Sequence, residues 1–323
     1  MNDPWGVWDG ALIAVKALTY AGTLCAAGAV FFLGYSGSLL TAADRARIRG
    51  AIWGLSVLAI AAGAAQIMVS AGTMSNTASG MWDGSLLRMI WRAGAGQANA
   101  IRDVGLVFAA GTAGTAGGAA RRRPPWWSIA GGMAAATSFA WSGHARALNS
   151  GWLPILLVGI HLLGVAFWLG ALPALGLVAR GRDAAAAAAP VARFGAAALV
   201  VVGGLMAAGL GLLWMMLGDF SELWRSDYGR FVMLKLTFVA ALLCLAAFNK
   251  LRLTPRLLTG DTRALQALRI SLRLELLLGV LILLATAALT TITGPPTLDE
   301  RRSDAAAARE LQWPYVSSVS QGV

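Results

Sequence analysis

Residues 153–179 read LPILLVGIHLLGVAFWLGALPALGLVA, a run without a single charged side chain. A bilayer core about 30 Å thick is crossed by about 20 helical residues rising 1.5 Å each. A surface helix of a water-soluble protein needs a polar face, and this run has none. The stretch therefore predicts a membrane-spanning helix. Its one polar landmark is His161, about two turns from the N-terminal end.

The same pattern recurs along the chain. Eight runs are long and apolar enough to span, at approximately 11–35, 50–71, 98–119, 126–146, 153–179, 190–217, 229–249 and 270–293. Composition agrees: 58% of residues are hydrophobic, 13% are charged, and the mean hydropathy is +0.67. This predicts an all-α membrane protein, a bundle of about eight transmembrane helices in one polytopic domain over 1–296, with a polar tail at 297–323. The third run is the least apolar, because Arg102 and Asp103 fall near its start. Residues 80–96 are aromatic and amphipathic, which suits a helix lying in the interface. Arg121-Arg122-Arg123-Pro124-Pro125 divides the third run from the fourth, and Gly294-Pro295-Pro296 stops the eighth. Pro154 and Pro190 suit first turns, where a missing N–H costs nothing. The run Ala184–Ala189 extends a helix toward the cytoplasm.

Orientation follows from the basic residues. One set of alternate loops carries about fifteen Lys and Arg, including Arg45, Arg47, Arg49, Arg121–Arg123, Arg180, Arg182, Lys250, Arg252 and Arg256. The other set, termini included, carries about eight. Positive charge favours the cytoplasm, so both termini are expected in the periplasm of a bacterial inner membrane. The net charge of +11 is thereby explained by loops beside anionic lipid, and nucleic-acid binding is not expected. The N-terminus carries Asp3 and Asp9 and no basic residue before the first apolar run, so that run reads as a retained span rather than a cleaved signal. Cys25 and Cys244 sit in separate apolar runs and read as packing residues, not as a disulfide or zinc framework.

Two histidines are the whole complement of the chain. His144 lies about 4 Å and His161 about 12 Å below the outer boundary, on adjacent antiparallel spans joined by a short loop. The offset of about 8 Å permits one shared metal ion or two successive stations. Met68, Met74, Met81, Met89, Met215, Met216 and Met233 fall in outer halves or outer loops, and thioether sulfur is a soft ligand suited to Cu(I) while imidazole takes either copper state. Among charged residues within spans, Glu275 reads as pairing with neighbouring Arg273. Lys235 reads as meeting a carboxylate or carbonyl, or lining a polar cavity. No P-loop, nucleophile elbow, HExxH or dinucleotide fingerprint is present, so the chain does not read as an enzyme.

Ser142-Gly143-His144-Ala145, His161 with Phe167-Trp168-Leu169-Gly170-Ala171-Leu172, Arg193-Phe194, and Tyr228-Gly229-Arg230 leading to Lys235 come in order. Asn249–Leu257 (NKLRLTPRL) and Leu272–Leu276 (LRLEL) complete the set. Together they resemble the copper resistance protein D (CopD) family, best over 139–293, with only the span pattern matching before that. The resemblance implies an inner-membrane protein that moves copper between periplasm and cytoplasm, usually as uptake, and a periplasmic copper-binding partner of the CopC type. By motif it makes His144 and His161 the copper ligands, with Trp168 and Ser142 shaping the site. Met215 and Met216 are the expected thioether partners. Two alternatives use the same residues: a haem b electron-transfer protein ligated by the two histidines, and a non-transporting copper-delivery factor.

Overall fold

Small residues decide which helix lies at the centre. Gly22–Ala29 reads GTLCAAGA, and nearly every side chain in it is buried. Such a surface lets neighbouring backbones approach closely, the main source of helix association where lipid is as apolar as the side chains. The computed structural model describes residues 6–114, 122–142, 152–216, 224 and 227–292. The helix bearing this segment, α1 (Val7–Ser36), touches α2 (Ala42–Ser75), α4 (Gly94–Gly114), α5 (Trp126–Thr137), α7 (Leu153–Trp168), α8 (Leu172–Gly181), α9 (Ala184–Met216) and α12 (Thr262–Ile292). The remaining elements are α3 (Gly84–Arg92), α6 (Phe139–Ser142), α10 (Asp227–Phe248), a π-helical turn Asn249–Leu253, α11 (Thr254–Leu258), and two 3-10 turns, Gly37–Leu39 and Ser79–Trp82. The described residues form an all-helical protein.

Among the described residues six stretches are long and apolar enough to cross a membrane: Val7–Leu39, Ala42–Ser75, Leu153–Gly181, Ala184–Met215, Gly229–Leu258 and Thr262–Thr291. The third and fourth expected spans are helical too, as α4 and as α5 followed by α6, but neither is among the six. For α4 the reason is polar content. Asn99 and Arg102, 5% and 4% exposed, turn inward against α2 at Gly63, where a Cβ would meet Asn99 Oδ1 at 2.9 Å and Arg102 Nη2 at 3.0 Å. Arg102 also stands over the Phe139 ring at 5.1 Å. Hydropathy counts those groups as cost although the bundle satisfies part of it.

The expected span 153–179 is two helices. The N–H groups of Leu169 and Gly170 both donate to Val165 O, at 2.9 and 3.1 Å, which closes α7, and Pro173 opens α8. The break faces α1. A Cβ on Gly28 would lie 2.2 Å from Ala166 O, and one on Gly170 would lie 2.0 Å from Leu24 O. The two backbones touch with nothing between them.

A charged clasp closes one end of the bundle. Thr41 and Asp44 form a capping box at the start of α2, and Arg182 lays Nε and Nη2 on Asp44 Oδ2. Arg182 also donates to Leu39 O and, at 2.8 Å, to Ala186 O. That last carbonyl is the one left without its helical donor by Pro190, four residues on, so the proline sits inside α9 at no unsatisfied cost. The helix consequently begins at Ala184, as the alanine run predicts, with Asp183 capping Ala186 N. Arg269 of α12 donates to Ala179 O at 2.8 Å and to Arg182 O at 3.2 Å, tying a third element in. The Asp44 and Arg182 side chains are 3% and 8% exposed. Asp44→Ala strands a buried guanidinium, and we expect a loss of about 3 kcal/mol, with part recovered in the Asp44→Ala/Arg182→Ala double variant. Thermal unfolding of the purified protein in detergent measures both.

The 80–96 stretch is helical as α3, with no buried residue, and Asp83 caps it by accepting Ser85 N at 2.7 Å and Leu86 N at 3.4 Å. The Ser85 hydroxyl, which donates to the same oxygen at 2.6 Å, and these two backbone bonds hold the Asp83 carboxyl below the usual carboxylate range. The cap is thus intact through neutral pH and is lost only on strong acidification.

Candidate functional site

His161 lies on the face of α7 that meets α9, and glycines shape that contact. A Cβ on Gly164 would come within 3.2 Å of Leu205 Cβ, one on Gly211 within 3.4 Å of Leu157 Cδ1, and one on Gly209 within 3.3 Å of both His161 Cε1 and Nδ1. The imidazole edge therefore rests in the notch that Gly209 leaves. Its Nδ1 is buried and has no hydrogen-bond partner among the described residues. Backbone of Leu205, one turn before Gly209 on the same face of α9, comes close to the ring without meeting hydrogen-bond geometry at Nδ1. The charge of Lys235, on α10, also acts on the ring. An imidazole nitrogen that neither donates nor accepts a hydrogen bond is free to ligate a metal ion.

The other expected ligands are placed unevenly. His144 falls in 143–151, outside the described residues. The elements flanking it are in place, since α5 and α6 both touch α7, as the antiparallel pairing of these spans requires. Ser142 ends α6, and its side chain also lies outside the described residues, as does that of Met216 at the end of α9. Met215 is half-buried, six residues past Gly209 and so about 9 Å farther along the helix axis. Trp168 is 6% exposed and joins the main apolar core two turns along α7 from His161, a separation of about 10 Å. Among the described residues no three His, Cys, Asp or Glu side chains converge.

Two charged groups do not meet the charged partners that the sequence suggested. Lys235 meets no carboxylate among the described residues, and its charge acts on His161. Glu275 pairs with Asn249, not with Arg273, which is exposed. Residues two apart on a helix point about 200° apart, so Arg273 and Glu275 face opposite sides of α12. Lys16 donates to Thr290 O at 3.1 Å and Thr291 Oγ1 at 2.9 Å, joining α1 to the far end of α12. Cys25 and Cys244 are both free thiols.

Comparison with known proteins gives matches in both halves of the chain. Residues 188–289 match the family described as Copper resistance protein D, and residues 1–155 match Copper resistance protein D-like, N-terminal domain. A protein of Bacillus subtilis (strain 168), described as Copper transport protein CutJ, is 28% identical over 161 residues. That alignment takes in 49% of this chain but only 28% of the relative's length. No solved structure matches. The family matches leave out only 156–187 and the residues after 289, and the break at Leu169–Ala171 with its glycine contact to α1 falls between them. The chain belongs to the copper resistance protein D family.

Proposed function

We propose that this protein carries copper ions across the bacterial inner membrane, taking them up from the periplasm into the cytoplasm. The observation that carries the reading is the buried, unpartnered Nδ1 of His161 in the Gly209 notch. Apolar surroundings make an unsatisfied ring nitrogen costly, and a bound metal ion removes that cost. His161 and His144 bind the ion, with Met215 and Met216 as thioether partners and Trp168 and Ser142 shaping the path. This donor set suits copper, above all Cu(I), and excludes hard ions such as Mg²⁺ and Ca²⁺. The family match and the copper-transport relative support the same cargo.

Residues 1–296 act as one polytopic domain, with a polar tail beyond. In this reading α4 and α5–α6 cross beside the six apolar stretches, and an even number of crossings returns both termini to one side. Arg45, Arg182 and Arg269 gather at the clasp end, which supports placing that end in the cytoplasm and the termini in the periplasm. Copper reaches the outer side from a periplasmic copper-binding protein of the CopC type. The protein performs no covalent chemistry; the membrane potential favours inward movement of a cation.

Purified protein in liposomes tests this. Copper delivered outside should enter faster than into empty liposomes, and the His144→Ala/His161→Ala variant should lose at least nine-tenths of that flux, which is a tenfold effect or more. Flux no faster than in empty liposomes would remove the transport reading. Full flux in the double variant would remove the site.

A further inference from the structure

A second polar centre lies in the other half of the bundle, where α10 passes through its π-helical turn beside α12. Asn249 opens that turn, and its Nδ2 donates to Glu275 Oε1 at 2.8 Å. Thr254 Oγ1 donates to the Asn249 carbonyl at 2.9 Å, holding the widened turn. Ser271 stands one turn before Glu275 on the same face of α12. All four side chains are more than nine-tenths buried, at 8%, 3%, 7% and 4% exposure for Asn249, Glu275, Thr254 and Ser271. Two of their polar atoms, Asn249 Oδ1 and Ser271 Oγ, have no partner among the described residues.

No cation among the described residues is bonded to the carboxyl. On the π turn, Lys250 is half-buried and runs toward Gly195 of α9, where a Cβ would lie 3.4 Å from its Cδ. Arg252, Arg256 on α11, and Arg180 on α8 are exposed, as is Arg273 on α12 itself. Arg182 and Arg269 are committed to the clasp, Arg193 of α9 stacks over Tyr35 at 4.8 Å, and Asp261 caps α12 at its start. Lys16 of α1 is engaged at the opposite end of α12. An ionised carboxylate with a single amide donor, enclosed in apolar helices, is poorly satisfied. A neutral carboxylic acid fits these surroundings. Its single O–H supplies a donor beside two acceptors, Asn249 Oδ1 and Ser271 Oγ, that have none among the described residues. The oxygen-only donor set is wrong for a soft copper ion, so this is not a second copper station.

We propose that Glu275 is a proton-binding residue that couples this half of the bundle to the pH of the compartment it faces. Enclosed by Asn249 and Ser271 it holds a proton. When the half opens to water the O–H bond breaks, the proton passes to water, and the carboxylate is hydrated; no electron moves. The π-helical turn supplies a place for the helix to change, since such turns interrupt the regular ladder and recur at functional positions. The proposal rests on the transport reading and on the clasp end facing the cytoplasm.

The full-length protein and Glu275→Gln, which keeps an acceptor for Asn249, are compared in liposomes with copper supplied outside and internal pH stepped through the neutral range. Wild-type flux should change with internal pH, by at most about tenfold per unit for a single proton, and Glu275→Gln flux should be flat. Ser271→Ala should move the midpoint of the wild-type profile without abolishing flux. Infrared spectra provide a readout independent of transport: a carboxylic-acid carbonyl band present in the wild type should be missing in Glu275→Gln. Absence of that difference overturns the proposal, as does a pH-independent wild-type flux or an identical pH profile in the glutamine variant. If no copper enters with wild-type protein, the transport reading fails, and the infrared band alone decides the protonation of Glu275.

Discussion

His161→Ala should lower copper affinity by at least about 100-fold while leaving the protein folded. Loss of a group that merely orients a metal ligand costs roughly 10- to 100-fold, so loss of a ligand itself sets that as the floor. The fold should survive because His161 is only half-buried and its edge rests on Gly209, a contact whose removal opens space without stranding a partner. Two neighbours give predictions of different sign. Gly209→Ala places a methyl 3.3 Å from Cε1 and Nδ1, a contact tight enough to push the ring by a few tenths of an ångström. Affinity should then fall by about 10-fold. Lys235→Met removes a positive charge that acts on the ring and would repel a cation bound there, so affinity should rise. Titration of the purified variants against a competing copper chelator reads all three. Unchanged affinity in His161→Ala would remove this imidazole from the site, and a fall in Lys235→Met would mean that the ammonium supports the site rather than opposing it.

What the sequence made legible was whatever hydropathy and local chemistry encode. The run 153–179 announced itself by its length, and the alanine run correctly extended α9 back to Ala184. Pro190 looked like a first-turn residue because its cost is normally local. Here Arg182 answers the orphaned Ala186 carbonyl, and that compensation comes from before the helix. The break at Leu169–Ala171 was hidden because Gly170 and Pro173 sit within an unbroken apolar run, where hydropathy does not register backbone geometry. Glu275 was assigned to Arg273 by proximity in sequence, whereas Asn249, twenty-six positions away, is its partner in space. For the candidate site, His161 was readable as the one polar landmark of its run. The Gly209 notch and the influence of Lys235 were not, since each depends on how helices rotate against one another.

Gly28→Val should prevent assembly of the native bundle, and Gly170→Val should do the same. Each added side chain would meet backbone and not a movable side-chain tip. At Gly28 the first carbon alone would stand 2.2 Å from Ala166 O, 2.3 Å from Gly170 C and 2.6 Å from Ala171 N. At Gly170 it would stand 2.0 Å from Leu24 O and 2.7 Å from Leu24 C. Ordinary contacts of this kind need about 3.5 Å, so α1 and the α7–α8 break must separate by more than 1 Å. Nothing nearby can absorb that shift, because Ala26, Ala27, Ala29, Ala166 and Ala171 on both sides are already at 0–1% exposure. Overpacking a well-filled core typically costs 1–3 kcal/mol, and a backbone clash on two helices at once belongs at or beyond the top of that range. The contrast is Gly50 or Gly54 of α2, where a Cβ meets nothing within 4 Å and alanine should be neutral or slightly stabilising. Yield of monodisperse protein after detergent extraction, with thermal unfolding of what is recovered, separates the two classes. If Gly28→Val were extracted and unfolded like Gly50→Ala, the contact between α1 and the broken span would not hold the bundle together.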